Sequence, residues 1–157
     1  MTNPVTVNAP EGLPFIEIER EFDHPVEAVF QAHSDPALFQ QWIGPRGYGM
    51  KLEEFECRTG GRFRFIHTTD NGLDFGFNGV FHVVRENEFV IQTFEFEGAP
   101  DVVAIESNTF ERLEGGRTRI KIHSVYPSLE SRDAMVDSGM ERGVAEGYEQ
   151  LDELLAG

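Results

Sequence analysis

Apolar and polar residues alternate from Phe15 to Phe22, with Ile16, Ile18 and Phe22 on one side and Glu17, Glu19 and Glu21 on the other. A period of two predicts a half-buried strand with a solvated acidic face. Ahead of it, residues 1–14 carry Asn, Pro and Gly without a period and read as a flexible tail. Asp23-His24-Pro25 ends the strand and opens a helix, because Asp accepts from free amides and proline is preset for a first turn. Val26, Val29 and Phe30 supply its buried face. Ser34-Asp35-Pro36 repeats the device for a second short helix with Leu38, Phe39 and Trp42 inward, ended by Gly44-Pro45 and Gly47.

From Tyr48 onward the period stays at two. It predicts strands over Tyr48 to Phe55, Arg62 to Thr68, Leu73 to Arg85, Glu88 to Phe96, Val102 to Glu111 and Arg117 to Tyr126. Turn residues such as Thr59-Gly60-Gly61, Asp70-Asn71-Gly72 and Glu114-Gly115-Gly116 separate them, so successive strands pair as an antiparallel meander.

From Pro127 to Ala156 the period changes to that of a helix, with Val136, Met140, Val144, Leu151, Leu154 and Leu155 on one face. Gly139, Gly143 and Gly147 fall in a row beside that face. A mid-helix glycine costs roughly 0.5–1 kcal/mol against alanine. The row therefore implies either close approach of the sheet or the wall of an empty space. One strand, two short helices, six strands and a long helix make an α+β chain. Its curved antiparallel sheet wraps the C-terminal helix, and the short helices close one end of the space between them.

Composition sharpens this picture. Fourteen Phe stand against one Trp and three Tyr. Phe has no polar handle, so these rings belong in a core or an apolar pocket. Acidic residues outnumber basic ones, 28 to 13, for a net charge of −15. Nucleic acid and anionic membrane surfaces carry the same sign, and no basic run overrides the repulsion. A lone Cys57 allows neither an internal disulfide nor a paired-cysteine metal site. The N-terminus lacks the pattern of a signal peptide, and no apolar stretch approaches the roughly 20 residues that span a bilayer. The expectation is a cytoplasmic protein without membrane insertion.

No Gly-x-Ser-x-Gly elbow, phosphate loop, dinucleotide fingerprint or paired-histidine metal spacing is present. The sequence therefore assigns no catalytic residue, metal or cofactor, and a binding protein is favoured over an enzyme. The residues expected to line a pocket are Trp42 from the short helices and Phe65, His67, Phe77, Phe81 and Phe94 from the strands. The long helix adds Met140, Gly143, Val144, Gly147, Tyr148 and Leu151. Such sites are mainly apolar with a few orienting polar groups. Tyr148, whose hydroxyl needs a partner when buried, is the first candidate for that role. Glu106 is read as facing solvent, with an inward acid-base role as the alternative. Arg62 and Arg64, and Arg117, Arg119 and Lys121, are read as balancing acidic residues across the sheet.

Three segments resemble the START-like (SRPBCC, Bet v 1-like) helix-grip superfamily, and within it the branch named after the heat-shock protein 90 ATPase activator, also described as polyketide cyclase-like. They are His24 to Pro36 with Leu38 and Trp42 before Gly44-Pro45; Gly79 to Val84 with Phe89 to Phe94; and Gly116 to Ile122 with Met140 to Leu155. Trp42-Ile43 departs from the two aromatics common there. The resemblance implies one domain over 15–157 with an internal cavity for a hydrophobic small molecule such as a lipid, polyketide or flavonoid-like compound. It also implies two alternatives. One is a cyclase or hydrolase using His67 or Glu106, and the other a chaperone cofactor with a protein partner.

Overall fold

In the computed structural model, which describes residues 3–157, eight strands form one antiparallel sheet. In chain order these are β1 (Thr6–Asn8), β2 (Phe15–Phe22), α1 (Val26–Ser34), α2 (Pro36–Phe39), β3 (Gly49–Phe55) and β4 (Arg62–Thr68). Then follow β5 (Asp74–Arg85), β6 (Phe89–Phe96), β7 (Val103–Leu113), β8 (Arg117–Val125), α3 (Leu129–Asp137) and α4 (Met140–Ala156). The sheet order is β1-β2-β8-β7-β6-β5-β4-β3. The last six strands are therefore the expected meander, and β2 crosses over the short helices to join its far end beside β8. The curved sheet and C-terminal helix form the expected helix-grip fold.

Two expectations are corrected. Residues 6–8 are not part of a loose tail: Thr6, Val7 and Asn8 pair with Glu19, Ile18 and Glu17 of β2. Val5 and Val7 pack against the core. A three-residue strand is too short to display a period, so composition concealed it. Met1 and Thr2 lie outside the described residues. The long C-terminal helix is two helices, because Gly139 adopts a left-handed φ of 83° between them. Ser128 caps α3 by accepting from the Ser131 amide, in a reciprocal capping box. The buried Arg132 of α3 donates to the carbonyls of Pro10 (2.8 Å) and Phe15 (3.3 Å). That anchoring explains why α3 packs well despite its polar sequence.

The core lies where β2 and β8 meet α1 and α4. Ile16, Phe22, Val29, Ile120 and Leu151 have no more than 1% of their surface exposed. Each such side chain contributes roughly 1.5–3 kcal/mol by leaving water. Arg20 of β2 crosses this layer, pairing in bidentate fashion with Asp152 of α4 at 3.0 and 2.6 Å. It lies over the Phe22 ring at 4.5 Å, so α4 is tied to the sheet by charge as well as packing.

On the outer face, Arg117 and Arg119 reach Glu21 at 2.8 and 3.1 Å, as the cross-strand reading anticipated. Arg64 pairs instead with Glu97 at 2.8 Å, and Arg62 with Glu54 at 3.7 Å.

Candidate functional site

Between the concave face of the sheet and α4 lies a cavity of about 680 Å³. Period-two alternation puts one phase of each strand into it: Phe63, Phe65 and His67 from β4, Phe75, Phe77 and Phe81 from β5, and Val90, Gln92 and Phe94 from β6. Phe77 is the centre of this wall, stacked on Phe65 at 5.2 Å and nearly parallel to Phe94 at 5.5 Å. The opposite wall is α4, through Met140, Gly143, Val144, Gly147 and Tyr148. Trp42 closes the end nearest α1, its indole Nε1 donating to the Ala32 carbonyl at 2.8 Å.

The glycines now have an explanation. A Cβ on Gly147 would stand 3.3 Å from the Gly44 nitrogen and the Trp42 oxygen. Close backbone approach is thus the reason for this glycine, but the partner is the loop after α2 rather than the sheet. Gln150 holds that loop by donating to the carbonyls of Trp42 and Gly44 at 3.2 and 2.9 Å. Gly143 faces only Pro45, at an ordinary 3.6 Å, and borders the cavity. Gly139 is the break between helices and not part of the row.

His67 lies beneath the same loop. It is 6% exposed, between Phe65 at 5.1 Å and Phe77 at 5.5 Å, and a Cβ on Gly44 would strike its ring. Its Nε2 has no protein partner. Burial pulls its pKa below the usual histidine range, with the Ile43 backbone opposing, so the ring is neutral at neutral pH. His33 of α1 is held harder: burial brings its pKa to about 4 against the pull of the Val29 carbonyl. Its Nδ1 lies 2.8 Å from that carbonyl and donates to it, which leaves Nε2 as an acceptor.

The polar heart of the cavity is a row across three neighbouring strands. Gln92 of β6 stands opposite Glu106 of β7, which stands opposite Ser124 of β8. The Ser124 hydroxyl donates to Glu106 Oε2 at 3.0 Å, and Gln92 Nε2 lies 3.5 Å from Oε1. Burial pushes the Glu106 carboxyl up to about 7, and the Ser124 bond opposes the shift only in part. Tyr126 and Tyr148 also face the cavity; burial and the nearby Glu106 charge raise both phenols. Cys57 lines the wall as an inert thiol, pushed by burial to about 11.

Of the twelve residues expected from sequence, eleven line this cavity: Trp42, Phe65, His67, Phe77, Phe81, Phe94, Met140, Gly143, Val144, Gly147 and Tyr148. Leu151 does not; it is fully buried in the core one turn beyond. Glu106 faces inward, against the solvated reading. His33, Gln92, Asn108, Ser124 and Tyr126 were missed as cavity residues. A signal existed: each strand member lies an even number of residues from a buried apolar neighbour, such as Val90 for Gln92 and Phe110 for Asn108.

Among the described residues, no group of three or more His, Cys, Asp or Glu is placed to hold a metal ion. No helix there is long and apolar enough to cross a membrane.

The chain superposes on a crystal structure of a protein from Rhodobacter sphaeroides with a TM-score of 0.88, 26% identity and 97% of each chain covered. A protein from Mycobacterium smegmatis gives 0.86 at 26% identity, again over 97% of both chains. One from Arthrobacter aurescens gives 0.86 at 28%, covering 96% of this chain and 91% of the other. Comparison with curated proteins returns no match. The model of the activator of Hsp90 ATPase homolog 1-like protein family matches residues 23–156, nearly the whole helix-grip unit, and the chain belongs to that family.

Proposed function

We propose that this protein binds a hydrophobic small molecule, of lipid, polyketide or flavonoid size, in the cavity between the sheet and α4. The observation that carries the reading is the cavity itself. At about 680 Å³ it falls in the range of small-molecule sites, and its walls are aromatic with a few converging polar groups. Interiors normally pack at crystal density, and an unfilled apolar void costs stability. Keeping one this large argues for an occupant.

An amide NMR titration against fatty acids, sterols, flavonoids and aromatic polyketides tests it. Binding moves resonances of β4 to β6, α4 and the loop from Trp42 to Tyr48. A silent panel on a well-dispersed spectrum overturns the reading. Gly143→Leu should weaken binding tenfold or more in a folded protein, since the new side chain enters beside Pro45 without a backbone collision. Gly147→Leu would collide with the Trp42 to Gly44 backbone and tests folding instead.

A catalytic reading has one observation in its favour, the Glu106 carboxyl poised near neutrality inside the cavity. Glu106 and His67 stand on β7 and β4, with β6 and β5 between them in the sheet. The chaperone-cofactor reading rests on the family description alone.

A further inference from the structure

Among the described residues the cavity lining holds one carboxylate, Glu106, and one permanent cation, Arg142, and the two are not paired. Arg20, buried in the layer beneath α4, is taken by Asp152. Arg142, at the mouth, is exposed and bonded to Glu146 at 2.7 Å. The groups around Glu106 are Gln92 from β6, Ser124 from β8, Tyr126 just past the end of β8 and Tyr148 from α4; His33 of α1 lies further along, against Phe110. None of these is cationic at neutral pH. The two side chains directly opposite Glu106 both point donors at it, as suits an acceptor carboxylate. Two further acceptors line the same cavity. One is Nε2 of His33, left free by the Nδ1 bond to Val29. The other is Oδ1 of Asn108, whose amide nitrogen donates to the Val90 carbonyl at 3.3 Å. Around them stand the rings of Phe30, Phe110, Trp42 and Tyr148. Aromatic faces attract cations, and a buried carboxylate gains most from a charged partner that brings its own N–H donors.

We infer that the cavity is selective for a hydrophobic amine, its protonated nitrogen held by Glu106 within the aromatic walls. The inference rests on the cavity-binding reading and specifies the ligand's polar group. The chain's net charge of −15 favours approach of a cation from solution, in the same direction.

Three probes of one shape test it: 4-phenylbenzylamine, 4-biphenylmethanol and biphenyl-4-carboxylic acid, each titrated by calorimetry and followed by amide NMR. At pH 8 the amine binds at least tenfold tighter than the alcohol, and the acid binds weakest. Between pH 6 and 8 Glu106 passes through its titration on the cavity wall, while His33 is held neutral, Cys57 is held as a thiol and burial lowers His67 from the usual histidine range. Amine affinity therefore rises about tenfold from pH 6 to 8, following the ionised fraction, while alcohol affinity stays level. Glu106→Gln brings amine and alcohol to parity and abolishes the pH dependence. Raising salt to 0.5 M leaves the preference in place, because a buried pair is screened far less than attraction to the acidic surface.

If the alcohol binds in the cavity and the amine is no tighter, the inference is wrong and the binding reading stands. A preference that survives Glu106→Gln, or vanishes in salt, also overturns the inference by placing the attraction on the surface. If none of the three shifts the cavity resonances, the inference is wrong, and the binding reading stands or falls by the wider panel of fatty acids, sterols, flavonoids and polyketides.

Discussion

Glu106 stabilises the fold least when it is charged. Its folded-state pKa is raised to about 7 from the ordinary 4.5, so the unfolded chain gives up its proton first as pH rises. Stability is unaffected below about 4.5, falls between 4.5 and 7, and levels off above. Glu106→Gln keeps the shape and the acceptor for Ser124 but removes the ionisation. The variant should be more stable than the parent by about 2–3 kcal/mol at pH 8, with the advantage shrinking towards pH 5.5. Urea unfolding at the two pH values measures this; an advantage that does not grow with pH would mean that Glu106 is well solvated. His33 works in the opposite sense. Its folded pKa is lowered to about 4 from 6.5, so its neutral burial costs stability as pH falls from 6.5 towards 4. A stabilising substitution at a cavity carboxylate is what a binding site exchanges for function.

The glycines of the C-terminal segment separate conformational from packing demands at the scale of one element. Gly139 has φ 83° and nothing within 4 Å of an added Cβ, so Gly139→Ala meets only backbone strain and should cost about 1 kcal/mol. Gly143 is helical, and its added Cβ makes an ordinary contact with Pro45, so Gly143→Ala should stabilise by about 0.5–1 kcal/mol. Opposite shifts in urea midpoint are expected; a loss at both sites would mean that the α4 end beside Pro45 cannot accept even a methyl group. These positions also show what was legible in the sequence. Periodicity placed β2 to β8 and both short helices, because alternation over seven or more residues is hard to mistake. It could not distinguish a helical glycine from a helix-breaking one, since both sit at helical spacing. Strand phase put the phenylalanines and His67 on the cavity wall correctly. Glu106 and Ser124 share that phase, but polarity alone reads as solvent-facing. Only the register of β6, β7 and β8 brings Gln92, Glu106 and Ser124 into one row. A network built across three strands has no local spacing to betray it.

At the scale of the molecule, charge is distributed so that the cations are already committed. Every lysine and arginine except Arg85 lies within ion-pair distance of a carboxylate, and Arg85 lies over the Phe89 ring at 4.4 Å. With 28 acidic residues against 13 basic, the excess carboxylates have no cation left to meet and repel one another at long range. Salt acts unequally on these two populations. The Debye length shortens from about 30 Å at 0.01 M to about 8 Å at 0.15 M, which removes most of the long-range repulsion. Pairs in contact lie well inside that length and are weakened less, and exposed pairs contribute only about 0–1 kcal/mol each to begin with. The thermal midpoint should therefore rise as sodium chloride goes from 0.01 to 0.15 M. A falling midpoint would show that the paired arginines of the outer sheet face, Arg117 and Arg119 with Glu19 and Glu21, contribute more than the repulsion takes away. The same field acts on ligands. If the repulsion is as large as the composition implies, the association rate of a cationic ligand should drop over the same salt interval while its dissociation rate from the buried Glu106 pair holds steady.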